Sequence, residues 1–238
     1  MASIFDEDCI IPPLRQDLIF PNPRYAADEG LLAFGGDLSP NRLLTAYRKG
    51  IFPWYSADDP ILWWSPNPRM VLYPEQFKVS KSFRRVLRNS GFTVTFDHDF
   101  AQVIRYCGTV PREGQNGSWL LAEMQDAYRE LHNMGYAHSV EVMLDGELVG
   151  GLYGLAIGRA FFGESMFSLR SNASKVAFKA LSDTLISRGY DFIDCQVKND
   201  HLLSLGAREI PRERFLQELE STLTKSTDLG SWRDWEWH

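Results

Sequence analysis

Two short polar stretches interrupt segments that otherwise have the composition of buried strands, and their side chains are the ones that could do chemistry. In residues 190–197 the alternation of apolar and polar residues fits a strand, whose period of two places Asp194 and Gln196 on one face. The other stretch, residues 163–168, contains Glu164. Burying such a group without a partner costs about 1–3 kcal/mol, and more for a charge. The fold must therefore pair these groups at a sheet edge or use them in a cleft.

The elements around these stretches are predicted from periodicity and turn signals. Three antiparallel strands come first, and the turn Asp145-Gly146 between the first two is typical of a hairpin. A helix capped by Ser171 or Asn172 leads to the strand that carries Asp194. The predicted ranges are strands at 139–144, 147–156, 160–167, 190–197 and 208–210, and helices at 172–188, at 201–205 and from 211 onwards.

This order of elements is the one found in acyltransferases of the GNAT type, where the fourth and fifth strands splay apart and leave a V-shaped cleft for an acyl donor. By this analogy of fold, the splaying strands are residues 160–167 and 190–197, so both polar stretches line one cleft. The predicted fold class is α+β (α/β), meaning that helices pack on a mixed and mainly antiparallel sheet.

Residues 1–67 differ from the rest in being rich in Pro, Gly and aromatic residues. One helix is predicted there, with Ser39 as its N-cap and Gly50 at its end, and two aromatic segments follow on either side of an Asp-Asp-Pro turn. Pro66 and Pro68 suggest a boundary. We therefore expect a small N-terminal domain at 1–67 and a GNAT-like catalytic domain at 68–238.

A predicted helix at about 80–89 carries four cations on one face, and no acidic residue interrupts residues 78–88. A charge run of this kind is either a solvated face or a contact for a phosphate backbone. The four residues are Lys81, Arg84, Arg85 and Arg88.

Composition excludes several classes of protein. The chain has 238 residues, 44% of them hydrophobic, and a formal net charge of −6, which argues against a protein that coats nucleic acid nonspecifically. Cys9, Cys107 and Cys195 are too few and too far apart for a disulfide framework or a CxxC metal site. An acidic N-terminus and the lack of a long apolar run predict no signal peptide and no membrane span. We expect a cytoplasmic protein, and the cysteine pattern predicts no metal site.

A series of sequence blocks closely resembles the leucyl/phenylalanyl-tRNA–protein transferases, and the match runs in order from about residue 30 to residue 215. The resemblance implies transfer of Leu or Phe, with Met as a further candidate, from aminoacyl-tRNA to the N-terminal α-amino group of proteins that begin with Arg or Lys. Those proteins are thereby marked for degradation by the N-end rule pathway. It also implies Leu-tRNA and Phe-tRNA as partners, and no cofactor. The blocks are Gly35-Gly36-Asp37-Leu38-Ser39, Gly50-Ile51-Phe52-Pro53-Trp54, Trp63-Trp64-Ser65-Pro66, Gly150-Gly151-Leu152-Tyr153-Gly154, residues 163–168, Asn172-Ala173-Ser174-Lys175, Asp194-Cys195-Gln196 and Leu205-Gly206-Ala207.

Roles for individual residues follow from the same resemblance. It implies that Gln196 accepts a hydrogen bond from the attacking amine, and that Asp194 orients the amine or holds its charge. Trp54, Trp119 and Glu164 match residues near the terminal adenosine of the tRNA. The basic helix then becomes a contact for the acceptor stem. The candidates for the apolar pocket that binds the Leu or Phe side chain are Leu152, Met166, Phe178, Leu181, Leu185 and Ile193.

Three other functions fit parts of the sequence. An acetyl-CoA-dependent acetyltransferase would need a glycine-rich turn for the pyrophosphate, but residues 166–175 contain no glycine. A serine hydrolase built on Ser165 would need glycine two places later, where Phe167 stands. A tRNA- or peptide-binding module without activity is the third alternative, and an assay of leucine transfer distinguishes it.

Overall fold

The computed structural model describes residues 11–110 and 120–237, and its first part is built around a small sheet. Four short strands lie in the order β1-β2-β4-β3. Helix α1 begins where predicted, because the Ser39 side chain accepts a hydrogen bond from the Arg42 amide and Pro40 occupies the first turn. The elements are β1 (Pro13–Leu14), β2 (Leu31–Gly35), α1 (Pro40–Arg48), β3 (Phe52–Pro53) and β4 (Leu62–Trp64).

Seven strands form a second, larger sheet in the order β11-β5-β10-β9-β8-β7-β6. Strands β6 to β9 form an antiparallel meander, β10 runs parallel to β9, and β5 is antiparallel to both β10 and β11. The mixed, mainly antiparallel sheet predicted from the sequence is thereby confirmed. The strands are β5 (Arg69–Leu72), β6 (Thr93–Phe96), β7 (Ala137–Leu144), β8 (Glu147–Ile157), β9 (Ala160–Ser168), β10 (Phe192–Gln196) and β11 (Arg208–Ile210).

Helices cover both faces of this sheet. Neighbouring residues of β9 point to opposite sides, so Phe161 packs with α5 and Phe162 packs in the core that α1, α3 and α4 share. The start of α5 approaches β8 closely, since a Cβ at Gly150 would lie 2.4 Å from Ala173 Cβ. The helices are α2 (Lys81–Asn89), α3 (Phe100–Thr109), α4 (Ala122–Asn133), α5 (Ala173–Ser187), α6 (Asp200–Ser204) and α7 (Arg212–Thr222).

The predicted splay of the fourth and fifth strands of the fold is present. Strands β9 and β10 pair only where Ala160, Phe161 and Phe162 face Phe192, Ile193 and Asp194. Beyond this point β9 continues to Ser168 and β10 to Gln196 without pairing to each other. A gap therefore opens between the two strands that carry the polar stretches.

The C-terminal segment docks on the large sheet. Trp232 is buried, its backbone N–H donates to Asp97 Oδ2 at 2.7 Å, and its ring stacks on His138 and on Trp235. Further along, Trp237 Nε1 donates to Asp183 on α5. The segment therefore packs against the body of the protein.

The two sheets share apolar packing. The small sheet ends at Trp64 and the large one begins at Arg69, on either side of the predicted boundary at residue 67. Residues such as Trp63 and Phe162 nevertheless belong to one continuous core. The division into two domains therefore stays a prediction.

Candidate functional site

A cavity of about 210 Å³ lies where β9 and β10 separate. Its walls come from both strands, from β8 and α5, and from β3 with the residue that follows it. The site is thus assembled from the small and the large sheet together.

Most of the predicted apolar pocket lines this cavity. Five of the six candidates contribute to its wall: Leu152, Met166, Phe178, Leu181 and Ile193. Leu185 does not, because it lies one helical turn beyond Leu181 on α5, outside the residues that form the wall. The expectation that Leu185 lines the pocket is therefore wrong.

Gln196 faces the cavity at the end of β10. The strand carries an irregularity between Asp194 and Gln196, and Gln196 has a left-handed backbone with φ of 62°. Such a conformation is costly for a residue other than glycine, so the surroundings must hold it. The amide nitrogen of the Gln196 side chain donates to Glu164 Oε1 at 2.8 Å, and the carboxamide oxygen accepts no hydrogen bond from the residues described.

Asp194 does not face the cavity, contrary to the expectation from the period of two. Its side chain is fully buried, and both carboxylate oxygens accept from Arg69, at 2.8 and 2.7 Å. The register of β10 shifts between Asp194 and Gln196, and the alternation of side chains is interrupted there. The Gln196 side chain therefore points into the cavity, whereas the Asp194 side chain points into the core. Asp194 Oδ1 also accepts the backbone N–H of Gln196 at 2.9 Å.

Arg69 is a site residue that the sequence reasoning missed. It is fully buried at the start of β5, and its guanidinium lies between the rings of Phe52 and Phe215, 4.7 and 4.5 Å from their centroids. This arrangement neutralises Asp194 and stacks the cation on two aromatic faces. A lone cation at the start of the apolar strand sequence Met-Val-Leu was the only sequence signal for it.

Glu164 connects the cavity to two buried tyrosines. The hydroxyl oxygens of Tyr47 on α1 and Tyr128 on α4 lie within hydrogen-bonding distance of its Oε1 and Oε2, at 2.7 and 2.8 Å. Burial, together with the charge of Asp194, raises the pKa of Glu164 to about 7, against the opposing effect of its hydrogen bonds with the two phenols. Glu164 lines the cavity, as its predicted place near the adenosine requires.

An exposed aromatic ring stands at the edge of the cavity. Trp54 is 41% exposed, and it packs beside Trp64, whose indole N–H donates to the Trp54 carbonyl at 2.6 Å. This contact holds the exposed ring of Trp54 at the edge of the cavity. Trp119, the second predicted tryptophan, lies outside the described residues.

The basic helix is α2, and its four cations are solvent-exposed. None of Lys81, Arg84, Arg85 and Arg88 forms an ion pair with a residue that the structure describes. Their charges are therefore available to an anionic partner.

A metal site and a membrane-spanning helix are both absent from the described residues. No group of three His, Cys, Asp or Glu side chains converges as a metal ion would require within residues 11–110 and 120–237. In the same part of the chain, no helix has the length and apolar character needed to cross a bilayer.

Comparison with known proteins gives strong matches along most of the chain. The family model described as leucyl/phenylalanyl-tRNA protein transferase matches residues 71–220, and the model of the N-terminal domain of that transferase matches residues 36–67. A protein named leucyl/phenylalanyl-tRNA–protein transferase from Desulfatibacillum aliphaticivorans is 54% identical over 92% of this chain and 94% of its own. One of the same name from Syntrophobacter fumaroxidans is 55% identical over the same shares.

Solved structures resemble the chain only distantly. An aminoglycoside acetyltransferase from an uncultured soil metagenomic sample, in complex with trehalose, has a TM-score of 0.36 and 14% identity. That match covers 48% of this chain and 84% of the acetyltransferase chain.

Proposed function

Since this chain belongs to the leucyl/phenylalanyl-tRNA–protein transferase family, it is an aminoacyltransferase, and we propose that it moves Leu or Phe from charged tRNA to proteins that begin with Arg or Lys. The new peptide bond forms at the α-amino group of the acceptor, which is thereby marked for degradation by the N-end rule pathway. The reaction takes place in the cytoplasm, where charged tRNA is made.

One observation carries this proposal: the open carboxamide oxygen of Gln196 lies in a cavity with apolar walls and an exposed tryptophan at its edge. An aminoacyl ester is already activated, so the enzyme must chiefly align a neutral amine with the ester carbonyl. The amine nitrogen bonds to the carbonyl carbon, the ester bond to the tRNA 3′-oxygen breaks, and one proton passes from nitrogen to that oxygen. Gln196 accepts a hydrogen bond from the amine and so directs its lone pair at the carbonyl carbon.

Asp194 acts on this step through Gln196. Its charge is neutralised by Arg69 inside the protein, so it neither attracts the acceptor amine nor takes its proton. Its Oδ1 instead holds the Gln196 backbone N–H and with it the left-handed conformation that aims the side chain. We therefore assign Asp194 and Arg69 to the positioning of Gln196.

The donor substrate binds along the rest of the cavity. The Leu or Phe side chain enters the apolar pocket of Leu152, Met166, Phe178, Leu181 and Ile193, where flexible Met166 fits both shapes. The terminal adenosine stacks on Trp54, and the acceptor stem meets the cations of α2.

The direct test is transfer of radiolabelled leucine from Leu-tRNA to a peptide that begins with Arg. We expect transfer by the wild type and a rate about 10- to 100-fold lower for Gln196→Ala, which corresponds to the loss of a hydrogen bond of about 1–3 kcal/mol. Binding of charged tRNA should persist in that variant. Gln217→Ala, at an exposed glutamine of α7, is the matched control.

Absence of transfer by the wild type, with tRNA still bound, would instead support a binding module without activity. Loss of tRNA binding in Gln196→Ala would remove Gln196 from the chemical step.

A further inference from the structure

Tyr47 and Tyr128 are buried polar residues whose hydroxyls meet beside Glu164, a residue of the cavity wall. Both are fully buried, although they come from α1 and α4, on the two sides of the predicted domain boundary. Their hydroxyl oxygens lie 2.5 Å apart, and each also lies within hydrogen-bonding distance of one oxygen of Glu164. Three oxygen-bearing groups thus form a closed triangle of short contacts.

The triangle needs three protons, one for each contact. Each phenol supplies one, and burial raises the pKa of Tyr47 and of Tyr128 well above the ordinary value, so both keep their protons. If both donate to an ionised Glu164, no proton remains between two phenol oxygens only 2.5 Å apart, and their lone pairs repel. A proton on Glu164 Oε2 resolves the triangle: it points to Tyr128, Tyr128 donates to Tyr47, and Tyr47 donates to Oε1.

We propose that Tyr47 and Tyr128 are positioning residues for Gln196, acting through a neutral, protonated Glu164 with which they close a ring of three hydrogen bonds. In this ring Glu164 Oε1 is a pure acceptor. It therefore binds the NH₂ end of the Gln196 carboxamide, at 2.8 Å, and leaves the carboxamide oxygen directed at the cavity.

The groups packed around Glu164 agree with a neutral acid. Tyr47 approaches from α1, Tyr128 from α4, and Gln196 with Asp194 from β10, while Tyr153 on β8 lies next to both phenols. None of these neighbours is a cation that could stabilise an ionised Glu164, and Asp194 opposes a second negative charge there. The Arg69 guanidinium donates its two hydrogen bonds to Asp194 and none to Glu164.

The first experiment measures leucine transfer by Tyr47→Phe and Tyr128→Phe, and it rests on the proposed function because it uses that reaction. The matched control is Tyr73→Phe, which also removes a hydroxyl that donates to a carboxylate, Glu218 at 2.7 Å, but away from the cavity. We expect both ring variants to lose about tenfold in the rate at saturating substrate, with the KM for Leu-tRNA unchanged, because only the alignment of Gln196 suffers. The control should keep the wild-type rate.

The proposal is overturned if the ring variants match the control, or if they raise only KM. If the wild type itself transfers no leucine, the proposed function fails, and the protonation of Glu164 still tests the ring.

The second experiment does not depend on enzymatic activity, and it does not use the tyrosine variants. Infrared spectra of the wild type against Glu164→Gln isolate the C=O stretch of a protonated Glu164 carboxyl. We expect this band at about pH 6 and its loss as the pH rises through about 7. A spectrum without the band at about pH 6 would show an ionised Glu164 and would overturn the ring.

Discussion

The buried polar groups next to the cavity and the polar groups on the surface outside it are arranged in opposite ways. Inside, Asp194 is neutralised by Arg69, and Glu164 is surrounded by Tyr47 and Tyr128. Outside, Trp54 is exposed, and the four cations of α2 lack an ion-pair partner among the residues described. The interior is therefore organised before any substrate arrives, whereas the exterior keeps its charge and its aromatic surface for a ligand.

This difference separates two kinds of mutational effect. Changes to the buried groups should appear first in stability and in the rate of the chemical step, because they disturb contacts that the protein makes with itself. Changes outside should appear in the binding of tRNA and its dependence on salt, because they remove contacts that only a ligand completes. Four measurements test this separation.

The largest effect is expected for Arg69→Met, which leaves Asp194 charged and unpaired in the interior. We expect a loss of about 3–5 kcal/mol in the free energy of unfolding, measured by urea denaturation. Adding Asp194→Leu should recover most of this stability, since an apolar pair replaces the ion pair. Transfer should not recover, because the Gln196 backbone N–H no longer has its acceptor. Equal stability of the single and double variants would contradict the buried pair.

A smaller effect on stability should follow the pH. Because the pKa of Glu164 is raised from 4.5 to about 7, the folded protein keeps a proton that the unfolded chain releases between these values. The unfolded state binds fewer protons there, so the free energy of unfolding falls by about 2–3 kcal/mol as the pH rises through this window. Glu164→Gln should lack this contribution. Urea denaturation across the window measures the difference, and parallel curves for the two proteins would refute it.

Trp54→Ala tests the edge of the cavity. Loss of one stacked base should weaken binding of charged tRNA by about 1–3 kcal/mol, without a comparable change in the stability of the protein. The control is tRNA that lacks the terminal adenosine, whose dissociation constant should be the same for variant and wild type. An equal loss for both tRNAs would place the base elsewhere.

The smallest effect concerns α2. Reversal of Arg84 and Arg85 to Glu should raise the dissociation constant of tRNA and lower the slope of log K against log salt by about one unit for each phosphate that the helix no longer neutralises. Glu213→Lys and Glu220→Lys on α7 change exposed charges elsewhere and serve as the comparison. Binding and salt slope that remain at wild-type values would remove α2 from the tRNA interface.

The sequence predicted what depends on local patterns. Helix α1 has the Ser39 cap, the strand pairs follow their turns, and the splay between β9 and β10 lies where the polar stretches indicated. Each of these features is encoded within a few neighbouring residues, or in the order of elements.

The failures concern interactions between distant parts of the chain. Asp194 and Arg69 are 125 residues apart, and the irregularity in β10 that turns Asp194 away from the cavity has no signature in an alternating pattern. Periodicity places Tyr47 on a helix, but it cannot show that the Tyr47 hydroxyl meets Glu164, 117 residues away. Side-chain partners of this kind become visible only when the fold is complete.

The position of Arg69 between Phe52 and Phe215 also constrains when the protein can become active during its synthesis. Phe52 belongs to the small sheet, Arg69 to the large one and Phe215 to α7, near the end of the chain. A nascent chain that has not yet released α7 from the ribosome lacks one face of this cation stack. We therefore expect competence for transfer to arise only after α7 has emerged.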